Sequence, residues 1–186
     1  MTFAPVYRQL DRLLEVVARI GSVAMLALVC ITVYDVMTRY FGLPKFAGLN
    51  STMLQESEYW AHTILFSLVM AYAYTKQAHV RIDLVRDALP TRVKYYFEIF
   101  GLVVFLLPFS AIAARYTYNY VYISWRDAEV SPSTVGLTNF WIVKSMLLVM
   151  FILMFIAGIS QLLKCIDGLR GKLSPEEKTN TLGGGH

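Results

Sequence analysis

The residues of this chain that are best suited to chemistry are the ionisable side chains inside or beside its long apolar segments. An ionisable group within a membrane suggests an ion pathway, a proton relay or a pair between helices, because an unpaired charge in hydrocarbon is costly. The spacing of Asp35 and Arg39 favours an ordinary i,i+4 ion pair on one helix. The candidates are Asp35, Glu56, Glu58, His62, Glu98 and Lys144.

Three of these groups are expected near the same membrane face. Glu56 and Glu58 fall in the first turns of a predicted helix, where the helix dipole favours anions. Lys144 lies one turn into another helix and is long enough to reach outward to water. The sharper hypothesis pairs Lys144 with Glu56 or Glu58 across helices or subunits. No charge reaches the middle of a span, so anchoring and pairing are favoured over transport chemistry.

Known catalytic and cofactor motifs are missing from the sequence. It contains no phosphate-binding glycine loop, nucleophile elbow or metal-ligand spacing. The histidines His62, His79 and His186 do not form the pair at matched depth that a b-type haem needs. Cys30 and Cys165 are expected towards opposite sides of the membrane and predict neither a disulfide nor a metal site. The sequence therefore predicts neither an enzyme nor a bound cofactor.

Four apolar runs carry these groups, and each contains or approaches the roughly 20 residues needed to cross about 30 Å of hydrocarbon. Backbone groups in lipid must bond within their own segment, so the runs are predicted to be helices. The expected fold is an all-α membrane protein with four transmembrane helices plus short amphipathic interfacial helices, in a single domain over residues 1–186. The predicted spans are residues 18–40, 53–75, 93–115 and 137–164.

Charge predicts the orientation of these spans. Hydrophobic residues make up 56% of the chain and charged residues only 16%. Lys and Arg number twelve in the two termini and the middle connection, and four in the other two connections. Since cytoplasmic loops carry the positive excess, both termini are expected in the cytoplasm of a bacterium, with the chain in its inner membrane. The net charge of +4 is explained by these loops and calls for no nucleic-acid partner.

The segments outside the spans carry weaker patterns. Residues 5–19 form an amphipathic pattern that fits either an interfacial helix on membrane lipid or a cytoplasmic extension of the first span. Residues 165–186 are expected to be a cytoplasmic tail. A capping box at Thr52 and Gln55 predicts the start of the second helix near Met53.

The second and third connections are also patterned. Residues 81–89 predict a short amphipathic helix ended by Pro90. Tyrosines at every second position from Tyr116 to Tyr122 fit a strand, although aromatic residues just beyond a span more often form an interfacial belt. Pro108 predicts a kink in the third span.

Several short motifs together resemble a known family. Val36-Met37-Thr38-Arg39-Tyr40-Phe41 ends the first span, and Glu56 supplies an acidic start to the second. His79-Val80-Arg81-Ile82-Asp83-Leu84 is followed by Leu89-Pro90, and Trp141-x-x-Lys144 opens the last span. In this order the motifs resemble the small membrane subunit, of the DctQ type, of the tripartite ATP-independent periplasmic (TRAP) transporters.

The resemblance implies a function and partners. In that family a periplasmic substrate-binding protein captures an organic anion, and a large membrane subunit moves it by a sodium-coupled elevator motion. The small subunit belongs to the stationary scaffold and supplies no substrate or sodium ligand. The motif residues would then be structural or interface residues: Arg39, Glu56, Glu58, His79, Asp83, Trp141 and Lys144.

Two other classes of function remain open from the residues alone. One is a haem- or quinone-binding membrane anchor of a respiratory enzyme, which a Soret band would reveal. The other is a free-standing four-helix channel or carrier, against which the lack of central polar groups argues.

Overall fold

The computed structural model describes residues 2–46, 48–78 and 89–182. The described part consists of helices joined by turns and loops and contains no strand, which confirms the all-α class. We label the helices α1 (Ala4–Tyr40), α2 (Ser51–Thr75), α3 (Thr91–Arg126), α4 (Trp141–Leu169) and α5 (Pro175–Leu182). The amphipathic helix predicted at residues 81–89 falls, except for Leu89, outside the described residues.

Helix α1 is one continuous helix of 37 residues. Residues 5–19 therefore extend the first span and do not form a separate interfacial helix. Its close contact with α2 depends on Gly21, because a Cβ there would lie 2.7 Å from Leu68 Cβ. Leu14 packs about two turns nearer the N-terminus, in a core cluster with Ala71 of α2 and with Leu153, Met154 and Ala157 of α4.

The start of α2 differs from the prediction. Asn50 caps the helix by accepting a hydrogen bond from Met53 N at 2.8 Å, so the capping box at Thr52 was wrong. Asn50 is the better cap because it precedes the first helical residue with an extended backbone, from which its side chain reaches the free N–H groups.

Helix α3 is longer than the predicted span 93–115 and continues to Arg126. The tyrosines from Tyr116 onward are thus helical, and the strand alternative was wrong. A π-helical turn covers Leu102–Leu106, in which Leu107 N bonds to Leu102 O. The turn ends two residues before Pro108. A proline has no N–H to donate, and its ring crowds the preceding turn of a helix. The extra residue in the π-helical turn accommodates the proline.

Helix α4 lies at the centre of the bundle. It contacts α1, α2, both halves of α3 and α5. Residues 165–169 of the predicted tail continue α4, and α5 follows after a short turn.

Among the described residues, three helices are long and apolar enough to cross a membrane: α1, α3 and α4. The predicted second span, α2, has the length but falls short in hydropathy, because its first half carries Glu56, Glu58 and His62. The exposed residues of α2 form one narrow stripe, while its other faces are covered at least in part by the rest of the bundle. The stripe consists of Gln55, Tyr59, His62 and Phe66.

Candidate functional site

Two groups of polar side chains lie at opposite ends of the bundle. We call them the outer cluster, near the ends of α1 and α3 and the starts of α2 and α4, and the inner cluster, near the start of α1 and the end of α4. The outer cluster contains most of the residues singled out by sequence. The inner cluster was not foreseen.

In the outer cluster, Asp35 and Arg39 form the predicted ion pair, with Arg39 Nε 2.8 Å from Asp35 Oδ2. The Asp35 side chain is 9% exposed, so α1 turns it towards the bundle. Gln55 faces the same guanidinium from α2: with its amide oxygen turned inward, Arg39 Nη2 donates to it at 2.9 Å. Arg39 therefore links the last turn of α1 to the first turn of α2.

Glu56 organises the loop between α3 and α4. Its carboxylate accepts hydrogen bonds from Ser131 Oγ and Leu137 N. The loop passes so close that a Cβ at Gly136 would lie 2.6 Å from Glu56 Oε1. Asn50 adds a second contact by donating from its side chain to Val135 O at 2.8 Å. The start of α2 thus fixes the loop through side chain to backbone bonds.

Lys144 pairs with a different carboxylate from the one predicted. Its ammonium group bonds to Glu129, just beyond α3, and lies 4.1 Å from the centre of the Tyr120 ring. The predicted pairing with Glu56 or Glu58 across helices of the chain was wrong, and the pairing across subunits stays a prediction. Glu56 is occupied by the loop, whereas the antiparallel packing of α3 and α4 brings Glu129 beside the first turn of α4.

The remaining predicted residues, so far as the structure describes them, are partly buried. Glu58 is partly buried, and its Oε1 atom is buried without a hydrogen-bond partner. Trp141 is the partly buried first residue of α4. The neighbouring Phe140 makes the aromatic contact in this region, edge-on to Trp60 at 5.9 Å. His79 and Asp83 lie outside the described residues.

The inner cluster is centred on Lys164, whose side chain is only 5% exposed. Its ammonium nitrogen lies 2.6 Å from Asp11 Oδ2. The other oxygen of Asp11 accepts a hydrogen bond from Ser160 Oγ at 2.6 Å. The pair therefore joins α1 to α4 through charges in a largely covered position.

Asp167 extends the inner cluster by one turn. It is fully buried and accepts hydrogen bonds from Thr2 Oγ1 at 2.9 Å and from Phe3 N at 2.7 Å. Gln161 donates to Thr181 O at 2.8 Å and so holds α5 against α4. These contacts anchor both ends of the described chain to the end of α4.

The sequence carried one unused signal for this cluster. Ser160, Gln161, Lys164 and Asp167 recur at helical spacing within an otherwise apolar helix. Polar residues in that pattern indicate a face packed on protein and not on lipid. Asp11, the partner of Ser160 and Lys164, could not be named, because it lies 149 residues away from Ser160.

Both clusters are suited to holding helices together. Apart from Glu58, their charged groups are bonded to other groups of the same chain. No set of three or more metal-binding side chains comes together within the described ranges.

A family model matches most of the chain. The model for the DctQ component of tripartite ATP-independent periplasmic transporters matches residues 28–168. The chain belongs to the DctQ family. The predicted resemblance is confirmed, and the protein is a small membrane subunit of the TRAP transporter class. No curated protein and no solved structure gives a significant match.

Membership of the DctQ family sets the broad role. The family is one component of a tripartite system that also includes a large membrane subunit and a periplasmic binding protein, and it is not a family of enzymes. The apolar helices and the family together describe a multi-pass membrane protein. The respiratory-anchor alternative is not favoured by this match.

The Lys144–Glu129 pair gives a prediction on pH. A hydrogen bond from Lys144 lowers the pKa of the Glu129 carboxyl from its ordinary value of 4.5. A lowered pKa contributes stability that is present above the ordinary pKa and is lost as the pH falls through the lowered value. We expect Glu129→Gln to reduce the melting temperature at pH 7 and to have a progressively smaller effect as the pH falls below 4.5 towards pH 3. An equal effect at both pH values, measured in detergent, would contradict this pairing.

Proposed function

We propose that this chain is a static scaffold subunit of a sodium-coupled TRAP transporter for organic acids. The observation that carries the proposal is that the charged groups of the outer and inner clusters, apart from Glu58, are bonded within the chain and so are not free to bind a substrate. Substrate and sodium sites of transporters use broken helices and open polar groups near the bilayer midplane. The π-helical turn of α3 is lined by apolar side chains and offers no such groups.

We also propose that α2 is the fourth membrane span. Its 25 residues are enough to cross about 30 Å of hydrocarbon. Most of its surface is covered at least in part by neighbouring helices, so Glu56 and Glu58 need not meet lipid, whereas Gln55 and His62 lie on its exposed stripe. With four spans, both termini lie on one side of the inner membrane, and the Lys and Arg excess assigns that side to the cytoplasm.

The orientation is tested by thiol labelling in intact cells. In a variant without Cys30 and Cys165, a cysteine at Thr134 should react with an impermeant reagent, and one at Arg92 should react only after lysis. Both positions are exposed, whereas Ser131 is buried against Glu56 and would report poorly. Labelling at Arg92 before lysis would overturn the orientation.

The partners in this proposal are a large TRAP membrane subunit, a periplasmic substrate-binding protein and membrane lipid. Arg39, Glu56, Glu58, His79, Asp83, Trp141 and Lys144 act as structural or interface residues. Glu56 and Lys144 both bond to the loop between α3 and α4, which we call the outer loop. They would then affect assembly through the shape of this loop.

Reconstitution of the three components in liposomes tests the scaffold role. We expect Lys144→Met to lower complex yield or uptake rate several-fold, because the outer loop loses its bond to α4. The ranking of a panel of organic acids and the sodium dependence should stay unchanged, since a subunit that contacts no substrate cannot discriminate among substrates. Glu15→Gln, in an exposed pair with Arg19, is the matched control. A changed ranking would disprove the scaffold role.

A further inference from the structure

Helices α1 and α3 each carry one band of exposed apolar side chains bounded by charged residues. The α1 band, residues 20–37, lies between Arg19 and Arg39, and the α3 band, residues 99–114, lies between Glu98 and Arg115. At 1.5 Å per residue they are about 27 Å and about 24 Å long, close to the thickness of the hydrocarbon core. Asp35 falls within the α1 band but faces the bundle. The most exposed large apolar members are Ile20, Val23, Leu26, Phe105, Phe109 and Ile112.

The two bands do not lie at the same height along α4. Towards the inner end, Ala157 packs in one cluster with Leu14, and a Cβ on the adjacent Gly158 would lie 2.9 Å from Leu107 Cδ2. Leu107 is in the centre of the α3 band. Leu14 lies six residues before the α1 band begins.

At the outer end of α4 the order is reversed: the centre of the α1 band lies there, and the α3 band has already ended. Lys144 lies over the ring of Tyr120, which is five residues beyond Arg115 and so outside the α3 band. Phe140 contacts Trp60 of α2. Since α1 and α2 run antiparallel from the close contact at Gly21, Val29 lies at about the height of Trp60, in the centre of the α1 band.

The centres of the two bands are therefore about 15 residues, or about 22 Å, apart along α4. If α4 stood perpendicular to the bilayer, much of one band would leave the hydrocarbon. Arg19, whose side chain is 77% exposed, and Arg115 would also come close to the bilayer centre. Exposed arginines are strongly disfavoured at that depth.

We propose that the bundle crosses the bilayer obliquely, so that hydrocarbon chains surround the α1 band and the α3 band at one common depth. The axes of packed helices lie about 9 Å apart. With that spacing, inclining α4 by roughly 35° or more removes most of the difference in depth between the two bands. Such an inclination is at the upper end of the range that is usual for membrane helices. The 37 residues of α1 and the 36 residues of α3 suit a slanted path. The proposal depends on membrane insertion alone and not on the transport role.

Spin labels at the two band centres test this orientation. In a cysteine-free full-length chain in phosphatidylcholine–phosphatidylglycerol vesicles, single labels replace Val29 and Phe105, which are 51% and 64% exposed. Depth is measured from the relative access of oxygen and a water-soluble nickel complex, with a label at Thr134 as the aqueous reference. The oblique orientation places both labels near the bilayer centre, within about 8 Å of each other in depth.

An upright bundle predicts a different result: the labels lie on opposite sides of the bilayer centre, separated by roughly 25 Å in depth. That outcome would overturn the proposal. Polarised infrared dichroism of the unlabelled chain in oriented bilayers provides a second measurement free of substitutions. A mean helix inclination above about 30° supports the proposal, and one below the average of about 20° contradicts it.

Discussion

Replacing Asp11 by asparagine should destabilise the protein by about 3–5 kcal/mol, because it leaves the covered ammonium group of Lys164 without its counter-charge. Asparagine keeps the size of the side chain, so the loss reports on charge and not on packing. In detergent we expect the melting temperature to fall on the order of 10 °C. Tryptophan fluorescence during heating measures this shift.

Two variants distinguish pairing from a general effect of the substitution. Glu15→Gln breaks the exposed pair with Arg19, whose side chain is 77% exposed, and should change stability by at most about 1 kcal/mol. The double variant Asp11→Leu with Lys164→Met removes both charges and should recover much of the loss, since an apolar pair needs no counter-charge. If Asp11→Asn behaved like Glu15→Gln, the inner cluster would not be a stabilising element.

The second large effect is expected for Gly168→Ala. A Cβ at this position would lie 2.5 Å from Cε1 and 2.6 Å from the hydroxyl oxygen of Tyr95. Tyr95 is 2% exposed and packs in a core cluster with Tyr7 and Leu102, so its rigid ring has little room to move. We expect a loss of about 1–3 kcal/mol from overpacking, measured by the same thermal assay.

Gly101→Ala is the matched control, because no neighbouring atom lies within 4 Å of a Cβ there. Alanine is the better helix former, so this variant should be unchanged or more stable by about 0.5–1 kcal/mol. Combining Gly168→Ala with Tyr95→Leu should relieve the clash and recover part of the loss. If the two glycine variants had the same thermal stability, the close contact of Gly168 with Tyr95 would not be important for the stability of the bundle.

The outer cluster was partly predictable because some of its contacts join residues that are close together in the sequence. Asp35 and Arg39 are four residues apart on one helix, and that spacing alone defines their contact. The partner of Lys144 depends instead on how α3 and α4 pack, and sequence reasoning chose the wrong carboxylate. Glu129 lies in a loop, where no periodicity indicates which side chains face the bundle.

Helix lengths were underestimated for a physical reason. Apolar runs mark the part of a helix that meets hydrocarbon, but intrahelical hydrogen bonding continues wherever the backbone is still supported by packing. The outer part of α3 continues past Arg115 alongside α4, where Thr117 and Ser124 are buried and the Tyr120 ring meets the ammonium group of Lys144. The first turns of α1 continue inward because Asp11 and Asp167 hold them to α4.

The hydrogen bond from Phe3 N to Asp167 has a consequence for biogenesis. The two residues are 164 positions apart, so the ribosome makes the acceptor long after the donor has emerged. Until α4 is inserted, Asp11 and the amide of Phe3 must be satisfied by water or headgroups. The start of α1 is synthesised first, but it cannot complete its contacts until α4 is in place. In a nascent chain truncated before α4, the start of α1 is therefore exposed to the proteases that degrade incomplete membrane proteins.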